Sequence, residues 1–385
     1  MTITSAIVGT GAIAHAHAEA VLHLGDTQPG GSQLEGARLV GVVDLDPTRA
    51  QDFAERFSVP ATYGSVAELL EQTRPDYVHI CTPPGSHVPL AIEVLRGGAV
   101  PIIEKPPALS LAELDRLHAV ELETGISAIG LFQQRFGAGA EALRSALAEG
   151  LLGRPLVAVC ETLWYRDEDY FAVPWRGKWD VEGGGPTMGH GIHQMDLLLS
   201  VLGPWSTVRA VAARQARTTQ TEDVSAAIVT FENGAIATVL NSLVSPSQVS
   251  RLRFDFENAT AELEHLYGYD ATNWSFTPAP GSEALAETWT ERATGVPSGH
   301  AAQFAAIVAA REAATPAPVT ITDARETLSL AAALYASAFT DTTIAAGDIG
   351  PGHPFYDSME GTGAPWAGVS SAAAAAASVR REATR

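Results

Sequence analysis

Residues 4–14 form the stretch TSAIVGTGAIA, in which an apolar run ends at a glycine turn and a helical pattern follows. A strand, a GxGxxA turn and a helix in this order are typical of a dinucleotide-binding βαβ unit. Gly9 would make the tight turn, Gly11 would let a pyrophosphate approach the backbone, and Ala14 would let the helix pack closely on the strand. Ala12 and Ile13 lie where the first N–H groups of the helix would face the phosphates. The alternative is a glycine-rich turn that holds no ligand.

An acidic residue ends the second predicted strand. Asp44 lies where a carboxylate would accept hydrogen bonds from the ribose hydroxyls of a dinucleotide. It follows Gly11 by 33 residues, more than the usual spacing of ~20, and we attribute the excess to a Gly/Pro/Gln-rich insertion over Gly25–Gly36. Because a carboxylate there repels a 2′-phosphate, the sequence predicts NAD, with NADP as the lesser possibility. A surface aspartate without a ligand is the alternative.

The first third of the chain alternates short apolar runs with helical patterns, which is typical of a doubly wound parallel α/β sheet. The predicted strands are Thr4–Gly9, Leu39–Asp44, Tyr77–Thr82, Pro101–Glu104 and Ser127–Phe132. After residue 133 longer alternating strands follow, and Asn233-Gly234 predicts a type I′ hairpin and hence antiparallel pairing. A late helix over Ala324–Phe339 is predicted to begin from Asp323.

These patterns predict three parts of the chain. Residues 1–132 form an NAD-binding Rossmann domain, and residues 133–345 form an α+β domain for substrate binding and assembly. Residues 346–385, rich in Gly, Pro, Ser and Ala, are expected to form a partly disordered tail.

Composition limits the class of partner. The 385 residues include 24 Lys and Arg against 44 Asp and Glu, a formal net charge of −20, and only 18% are charged. Nucleic acid and anionic membrane surfaces would both repel such a chain, and no apolar run is long enough to cross a bilayer. Cys81 and Cys160 lie far apart without metal-ligand spacing, which fits a reducing compartment. With no export signal at the N-terminus, we expect a cytoplasmic protein with no metal site.

Two further motifs follow predicted strands, at the sheet edge where cofactors bind in such folds. The segment TPPGSH at 82–87 opens a helix, so Thr82, Pro83 and His87 are candidate cofactor contacts; a rigid proline-capped turn is the alternative. Glu104 and Lys105 end the fourth strand and are also candidate cofactor contacts. Lys105 on this rim could polarise a substrate hydroxyl, although an ordinary exposed lysine at a strand end is the alternative.

The segment Gly183–Asp196 is the most unusual of the chain. Three glycines precede a predicted helix on which His190, His193 and Asp196 are spaced by three, on neighbouring faces. A histidine has a pKa near neutral pH and is a suitable general base for alcohol oxidation. Structural histidines that cap the glycine loop are one alternative, and a His/His/Asp metal site is another.

An aromatic and basic cluster precedes the glycine segment. It comprises Trp164, Tyr165, Arg166, Trp175, Arg176, Lys178 and Trp179. This mixture suits stacking on a sugar ring and donation to its hydroxyls, so Tyr165, Arg166 and Trp175 are candidate substrate contacts. A loop packed on the domain face is the alternative.

In their order and spacing, these motifs resemble those of the glucose-fructose oxidoreductase, inositol dehydrogenase and rhizopine catabolism (Gfo/Idh/MocA) family, from the N-terminus to about residue 346. The resemblance implies an NAD- or NADP-dependent oxidoreductase that acts on a secondary hydroxyl of a sugar, sugar derivative or cyclitol. It also implies a large, mostly antiparallel open sheet in the second domain, which forms homodimer or homotetramer contacts. By motif match Lys105 resembles the active-site lysine, His193 the catalytic histidine, and Arg135 a residue near the substrate.

One position departs from the family pattern. The family carries an aspartate four residues before the catalytic histidine, and this chain has Gly189 there. We expect His190 to help position the substrate instead, and Asp196 to orient His193. Two other functions stay open: an NAD-retaining enzyme that cleaves or eliminates glycosides by transient oxidation, and a non-catalytic NAD- or sugar-binding protein. The net charge favours a neutral polyol as substrate, while the local Arg166 cluster keeps an acid sugar open.

Overall fold

The computed structural model describes residues 2–26 and 36–367. Most of the predicted insertion, residues 27–35, and the end of the predicted tail, residues 368–385, lie outside the described residues. Within the described ranges, no helix is both long enough and apolar enough to cross a membrane.

A parallel sheet of six strands forms the N-terminal part, in the order β3-β2-β1-β4-β5-β6. This is the strand order of a dinucleotide-binding Rossmann fold, so the α/β prediction is confirmed for this part. The strands are β1 (Thr2–Val8), β2 (Gly36–Val43), β3 (Thr62–Tyr63), β4 (Tyr77–Ile80), β5 (Val100–Ile103) and β6 (Ile129–Gly130). The sequence analysis missed β3, because two residues are too few to show a periodic pattern.

Helices connect these strands and cover both faces of the sheet, which explains why the strands are almost wholly buried. The helices are α1 (Ala12–Asp26), α2 (Pro47–Arg56), α3 (Val66–Thr73), α4 (His87–Arg96) and α5 (Leu111–Thr124). Three of them begin at a residue whose side chain accepts a backbone N–H of the first turn: Asp46, Ser65 and Ser110.

The second part is built on an eight-stranded sheet, ordered β13-β12-β11-β7-β10-β9-β8-β14. Its strands are β7 (Pro155–Tyr165), β8 (Trp205–Ala213), β9 (Val224–Phe231), β10 (Ile236–Ser242), β11 (Val244–Phe256), β12 (Ala259–His265), β13 (Trp274–Pro278) and β14 (Ile344–Ala345). Only β7 and β10 pair in parallel; the other neighbours are antiparallel. The prediction of a large, mostly antiparallel sheet is therefore confirmed.

The predicted hairpin joins β9 and β10, but its turn is not type I′. A type I′ turn needs positive φ at both central residues, and only Gly234 has it, at +88°. The N–H of Gly234 donates to the carbonyl of Phe231 at 3.0 Å, and the N–H of Phe231 donates to Ala235 at 3.0 Å. These bonds describe a three-residue loop with a glycine bulge. The Asn233 amide instead donates to the carbonyl of Leu202 at 2.8 Å.

Helices cover one face of the second sheet, with α9 and α12 packed against its strands. The remaining helices are α6 (Ala138–Ala148), α7 (Glu168–Phe171), α8 (Trp179–Glu182), α9 (Ile192–Leu202), α10 (Leu285–Arg292), α11 (His300–Glu312), α12 (Ile321–Thr340) and α13 (Pro354–Asp357). Single turns of other helix types occur at Pro84–Ser86, Gln133–Phe136, Thr187–Gly191 and Ala271–Asn273.

The start of α12 differs from the prediction. Thr320, not Asp323, is the N-cap: its side chain accepts the N–H of Asp323, and the Asp323 carboxylate accepts the N–H of Thr320 in a reciprocal capping box. The sequence pattern placed the helix three residues late because Asp323 is itself a good capping residue.

Two segments after the second sheet pack back onto the body. Helix α11 lies on the Rossmann part, where Phe304, Ile307 and Val308 join the core formed by β1, α1 and β2. Phe355 and Met359 are buried in the core of the second part. Residues 346–367 thus belong to the packed body, although the sequence assigns them to a tail.

Candidate active site

The turn between β1 and α1 has two glycines with different physical roles. Gly9 has φ of +85°, and a Cβ there would lie 2.9 Å from the carbonyl oxygen of Cys81, so the protein's own packing demands glycine. A Cβ at Gly11 would meet no atom within 4 Å. The described residues therefore leave room for a ligand at Gly11, and Ala12 and Ile13 supply the first N–H groups of α1 beside it. These residues fit the pyrophosphate of a dinucleotide.

Asp44 lies at the end of β2, directly beside this turn. Its Oδ2 accepts hydrogen bonds from the N–H and the hydroxyl of Thr10, both at 2.8 Å. Its Oδ1 accepts from the N–H of Asp46 at 2.9 Å and from Nη2 of Arg49 at 2.8 Å. Burial raises the pKa of Asp44, but the hydrogen bonds from Asp46 and Thr10 outweigh it and lower that pKa. Arg49 is 59% exposed and is the donor that a ribose hydroxyl could replace. The sequence analysis did not identify Arg49.

His87 is buried and holds the loop after β4 in place. The buried imidazole lies between two carbonyl oxygens, with Nε2 2.7 Å from Thr82 and Nδ1 2.8 Å from Pro106. The hydroxyl of Ser86 donates to Thr82 Oγ1 at 2.7 Å. His87 is therefore a positioning residue that joins the loops after β4 and β5, and its prediction as a direct cofactor contact is corrected. Thr82 and Pro83 remain at the carboxyl edge of the sheet, beside Gly9.

Glu104 is also buried, and it faces the interior instead of the cofactor edge. Its Oε1 accepts from Nε2 of His17 at 3.0 Å and from Nε2 of His300 at 3.1 Å, and its Oε2 accepts the N–H of Lys105 at 3.0 Å. Burial raises the pKa of Glu104, but the hydrogen bonds from His17 and His300 bring it well below its ordinary value. The predicted cofactor contact is corrected: Glu104 fixes the backbone of Lys105.

The ligand atoms of His17, Glu104 and His300 lie within 4.8 Å of one another, a spacing that could hold a metal ion. The hydrogen bonds satisfy the same atoms without one. His17 Nδ1 lies 2.9 Å from Nδ1 of His79, so His17 can donate through Nε2 to Glu104 and accept from His79 in a neutral tautomer.

Lys105 reaches from β5 to the single turn Thr187–Gly191. Its Nζ donates to the backbone carbonyl of Gly189 at 3.2 Å, the residue at which the family pattern carries an aspartate. Burial is the main cause that lowers the pKa of Lys105, with Arg176 adding to it and Glu104 opposing it.

His193 lies four residues after Gly189, at the start of α9. It is 2% exposed, and neither ring nitrogen has a hydrogen-bond partner among the described residues. Burial first, and then the charge of Lys105, hold the pKa of His193 well below its ordinary value. The ring of Tyr267 stands edge-on to it at 6.1 Å between centroids. A neutral, buried imidazole without a partner is suited to accept a proton from a bound molecule.

The prediction that Asp196 orients His193 is wrong. The Asp196 carboxylate accepts two bonds from Arg135, at 2.7 and 2.6 Å, and a third from Thr327 at 3.0 Å. The Arg135 guanidinium is thus engaged in a buried bidentate ion pair, and its contact with substrate stays a prediction. Arg135 borders a cavity of about 400 Å³ at the far end of α9, beside Leu199 and neither Lys105 nor His193.

His190 begins a chain of polar contacts that the sequence analysis did not foresee. Its Nε2 lies 3.3 Å from the hydroxyl of Tyr170, which accepts from Arg176, and Arg176 Nη1 lies 3.2 Å from Glu182 Oε1. Burial is the main cause that raises the pKa of Glu182, with Arg176 and Lys105 opposing it. Glu182 is thus a second carboxylate near Lys105, besides Glu104.

Of the two neighbouring aromatic residues at the end of β7, Trp164 and not Tyr165 lies beside His190. Successive residues of a strand face opposite sides, and it is Trp164 that stands edge-on to His190, at 5.1 Å. Tyr165 is exposed beneath Arg217, so its prediction as a substrate contact is corrected. Arg166 stacks on Trp164 at 4.8 Å.

Trp175, the remaining predicted contact, is half-buried, and the guanidinium of Arg176 lies 4.2 Å from its ring centroid. It contributes to the same loop, without a described contact to Lys105 or His193.

Within the segment 183–191, Gly185 is explained by tight packing against a buried acid. A Cβ at Gly185 would overlap the backbone carbonyl of Glu222. The Glu222 carboxylate accepts from the N–H groups of Gly185 and Thr187, at 3.0 and 3.2 Å, and from the hydroxyl of Tyr335 at 2.7 Å. Burial raises the pKa of Glu222 to about 7. Neither Glu222 nor Tyr335 is near this segment in sequence, so no local pattern could indicate them.

Comparison with known families agrees with this arrangement. Residues 3–129 match the oxidoreductase family model with an NAD-binding Rossmann fold, and residues 140–262 match the GFO/IDH/MocA C-terminal domain. Together the two matches cover more than half of the chain. The chain belongs to the Gfo/Idh/MocA family.

Several curated relatives are dehydrogenases. A trans-1,2-dihydrobenzene-1,2-diol dehydrogenase from Mus musculus is 27% identical over 197 residues, 51% of this chain and 58% of that protein. An inositol 2-dehydrogenase from Rubrobacter xylanophilus is 32% identical over 168 residues, 43% of this chain and 45% of that protein. The matches thus span about half the length of these relatives.

Solved structures share the fold along nearly the whole chain. The WlbA dehydrogenase from Bordetella pertussis, in complex with NADH and UDP-GlcNAcA, superposes with a TM-score of 0.76 at 24% identity and covers 90% of this chain and 99% of that one. A levoglucosan dehydrogenase in complex with NADH and levoglucosan has a TM-score of 0.76 at 18% identity and covers 90% and 100%.

Within this Gfo/Idh/MocA chain, the position that departs from the family has room for a side chain. A Cβ at Gly189 would meet no atom within 4 Å. The missing aspartate is therefore not excluded by packing of the protein itself, in contrast to the crowded Gly185.

We expect Gly185→Ala and Gly189→Ala to differ in stability. Gly185→Ala forces a methyl group into a backbone carbonyl and should lower the free energy of unfolding by about 1–3 kcal/mol. Gly189→Ala adds a methyl group to open space and should change it by less than about 1 kcal/mol. Denaturant unfolding followed by circular dichroism measures both, and equal losses would contradict the packing assigned to the glycine segment.

Proposed function

We propose that the chain is an NAD-dependent oxidoreductase that oxidises a secondary hydroxyl of a sugar, sugar derivative or cyclitol. The observation that carries this proposal is His193: a buried imidazole with no partner in the described protein, one helical turn from the carbonyl that holds Lys105. Bound NAD would supply the hydride acceptor, on the turn formed by Gly9, Gly11 and Asp44. The family to which the chain belongs supports the same reaction class.

Two residues of the chain act on the substrate hydroxyl, one as a base and one as a hydrogen-bond donor. His193, neutral at working pH, takes the hydroxyl proton as general base. The Lys105 ammonium donates a hydrogen bond to the same oxygen and stabilises the negative charge that develops on it. Glu104 holds the Lys105 backbone, and burial of the site strengthens both contacts by excluding water.

The first test removes the proposed general base by the substitution His193→Ala. With NAD and a panel of sugars, uronates and cyclitols, His193→Ala should lower kcat by roughly 10²–10⁴-fold, the usual contribution of a general base. NAD affinity should stay within about threefold, because His193 holds no part of the cofactor turn. The matched control is His118→Ala, on the exposed face of α5. Unchanged turnover in His193→Ala would remove the proposed role, and protein that binds NAD without oxidising any substrate would favour the non-catalytic alternative.

The pH dependence follows from the two pKa shifts. Oxidation needs His193 neutral and Lys105 charged. The pKa of His193 is held well below its ordinary 6.5, and that of Lys105 is lowered from 10.5. We therefore expect kcat/KM to fall on the acid side only below pH 6.5 and on the alkaline side already below pH 10.5. A profile at constant ionic strength checks this, and Lys105→Met should remove the alkaline limb. An acid limb centred above pH 6.5 would contradict the assignment.

We also propose that the uncovered face of the second sheet pairs two copies of this chain. Four apolar side chains share that face: Val157, Val211, Ile228 and Ile236, which are 49%, 66%, 55% and 50% exposed. Their strands are neighbours, and Ile236 lies opposite Val157 in register. An apolar surface of this kind is typical of an interaction site, and a second copy buries it symmetrically.

Ile228→Asp should convert the assembly to monomer, because a carboxylate would be buried at the centre of the contact. Light scattering after size exclusion measures the mass. Leu122→Asp, on exposed α5, is the control that should leave the mass unchanged. A wild-type monomer would refute the proposed pairing.

Two expectations from the sequence belong to the same proposal. Residues 1–132 bind the cofactor, and residues 133–345 bind the substrate and form the assembly. Cys81 and Cys160 are buried free thiols, which supports a cytoplasmic location.

A further inference from the structure

The candidate active site concentrates positive charge in a strongly acidic chain. The protein has only two lysines, Lys105 and Lys178, and a net charge of −20. Yet Lys105, Arg166 and Arg176 all lie close enough to His190 for their charges to lower its pKa, after burial as the largest cause. Three cations of a strongly acidic chain therefore lie around His190.

Two of these cations are held by aromatic rings. Arg166 lies 4.8 Å from the ring of Trp164 and 5.3 Å from that of Tyr170, and Arg176 lies 3.9 Å from Tyr170. The same rings stand beside His190, at 5.1 and 6.0 Å. A stacked guanidinium presents its N–H edge away from the ring and in a fixed plane, which preorganises it for a planar or tetrahedral oxyanion.

Carboxylates in the described protein compensate this charge only in part. Glu182 pairs with Arg176, and both Glu104 and Glu182 lie near enough to Lys105 for their charges to raise its pKa. Arg166 donates through Nη1 to neutral acceptors, the carbonyl of Tyr165 at 2.8 Å and the amide oxygen of Gln248 at 3.3 Å. The acidic residues 167–169 follow Arg166 in sequence, but none of them forms an ion pair in the described structure. Gly189 removes the carboxylate that the family pattern places beside Lys105.

Resting on the oxidoreductase function proposed above, we propose that the substrate carries an oxyanion, a carboxylate or a phosphate, that Arg166 and Arg176 bind while Lys105 and His193 face its reacting hydroxyl. Each guanidinium has five N–H donors and uses few of them within the chain, so both can donate to an oxyanion in addition to their present partners. A neutral polyol would leave Arg166, which has only neutral acceptors among the described residues, without a counterion. The substrate class is thus narrowed from polyols in general to acid or phosphorylated sugars, against the neutral polyol that the net charge favoured.

The test uses matched substrates on the full chain with NAD. D-glucose, D-glucuronate and D-glucose 6-phosphate form one set, and D-galactose and D-galacturonate form another. We expect the anion of at least one set to exceed its neutral parent by at least roughly 10-fold in kcat/KM, the order of effect of a charge-assisted bidentate contact. The carboxylate and phosphate members identify which oxyanion is recognised.

Arg166→Gln and Arg176→Gln should reduce this preference to about threefold or less, because they raise KM for the anion more than KM for its neutral parent. The control is Arg96→Gln, whose exposed side chain pairs with Glu123 far from the site. Titration calorimetry of the same sugars into NAD-loaded protein gives a readout that does not need turnover. Anions that neither react nor bind better than their parents overturn the proposal. Arginine-dependent binding of an anion without NADH formation from any sugar would uphold the oxyanion site and overturn the oxidoreductase function.

Discussion

The buried carboxylate of Glu104 is the interaction on which the rest of the site depends. It accepts hydrogen bonds from α1 through His17, from α11 through His300 and from the backbone of Lys105. These three donors lie far from one another in the sequence, so one acid joins α1, the carboxyl end of β5 and helix α11, which returns from the second part of the chain. A carboxylate in this position is costly unless all its donors are present, and a hydrogen bond to such a charged group contributes about 1.5–3 kcal/mol. The position of Lys105 is therefore set by packing on the side away from the substrate.

The same burial gives the site its chemistry. Desolvation disfavours charge, which keeps His193 neutral and lowers the pKa of Lys105. The two groups thus approach each other without two full positive charges, one as an acceptor of a proton and the other as a donor of a hydrogen bond. The glycine segment makes this approach possible, since Gly185 packs onto Glu222 and brings the carbonyl of Gly189 to Lys105.

Local patterns in the sequence were sufficient to predict a residue's position wherever that position depends only on the strand, turn or helix to which the residue belongs. The Rossmann order, the packing role of Gly9, and the positions of Asp44 and Lys105 at strand ends follow from strand, turn and helix signals. Long-range pairing could not be predicted in this way. Arg135 and Asp196 are each polar residues beside a predicted site, and only the tertiary fold shows that they neutralise each other. The choice between Trp164 and Tyr165 depends on strand parity, which one residue of register reverses. Glu222, Tyr335 and His300 act from distant segments, where no motif marks them.

The net charge, like the local patterns, does not predict which groups the fold brings together. A charge of −20 describes the average surface, and it governs solubility and encounters with large polyanions. Recognition of a small substrate depends on the few groups within about a Debye length of it, ~8 Å at physiological ionic strength, and on how far they are desolvated. Around His190 those groups are Lys105, Arg166 and Arg176, with Glu182 as their partial counterion. The acidic average therefore sets no constraint on the charge of the substrate, and the proposed recognition of an oxyanion rests instead on the half-buried arginines stacked on Trp164 and Tyr170.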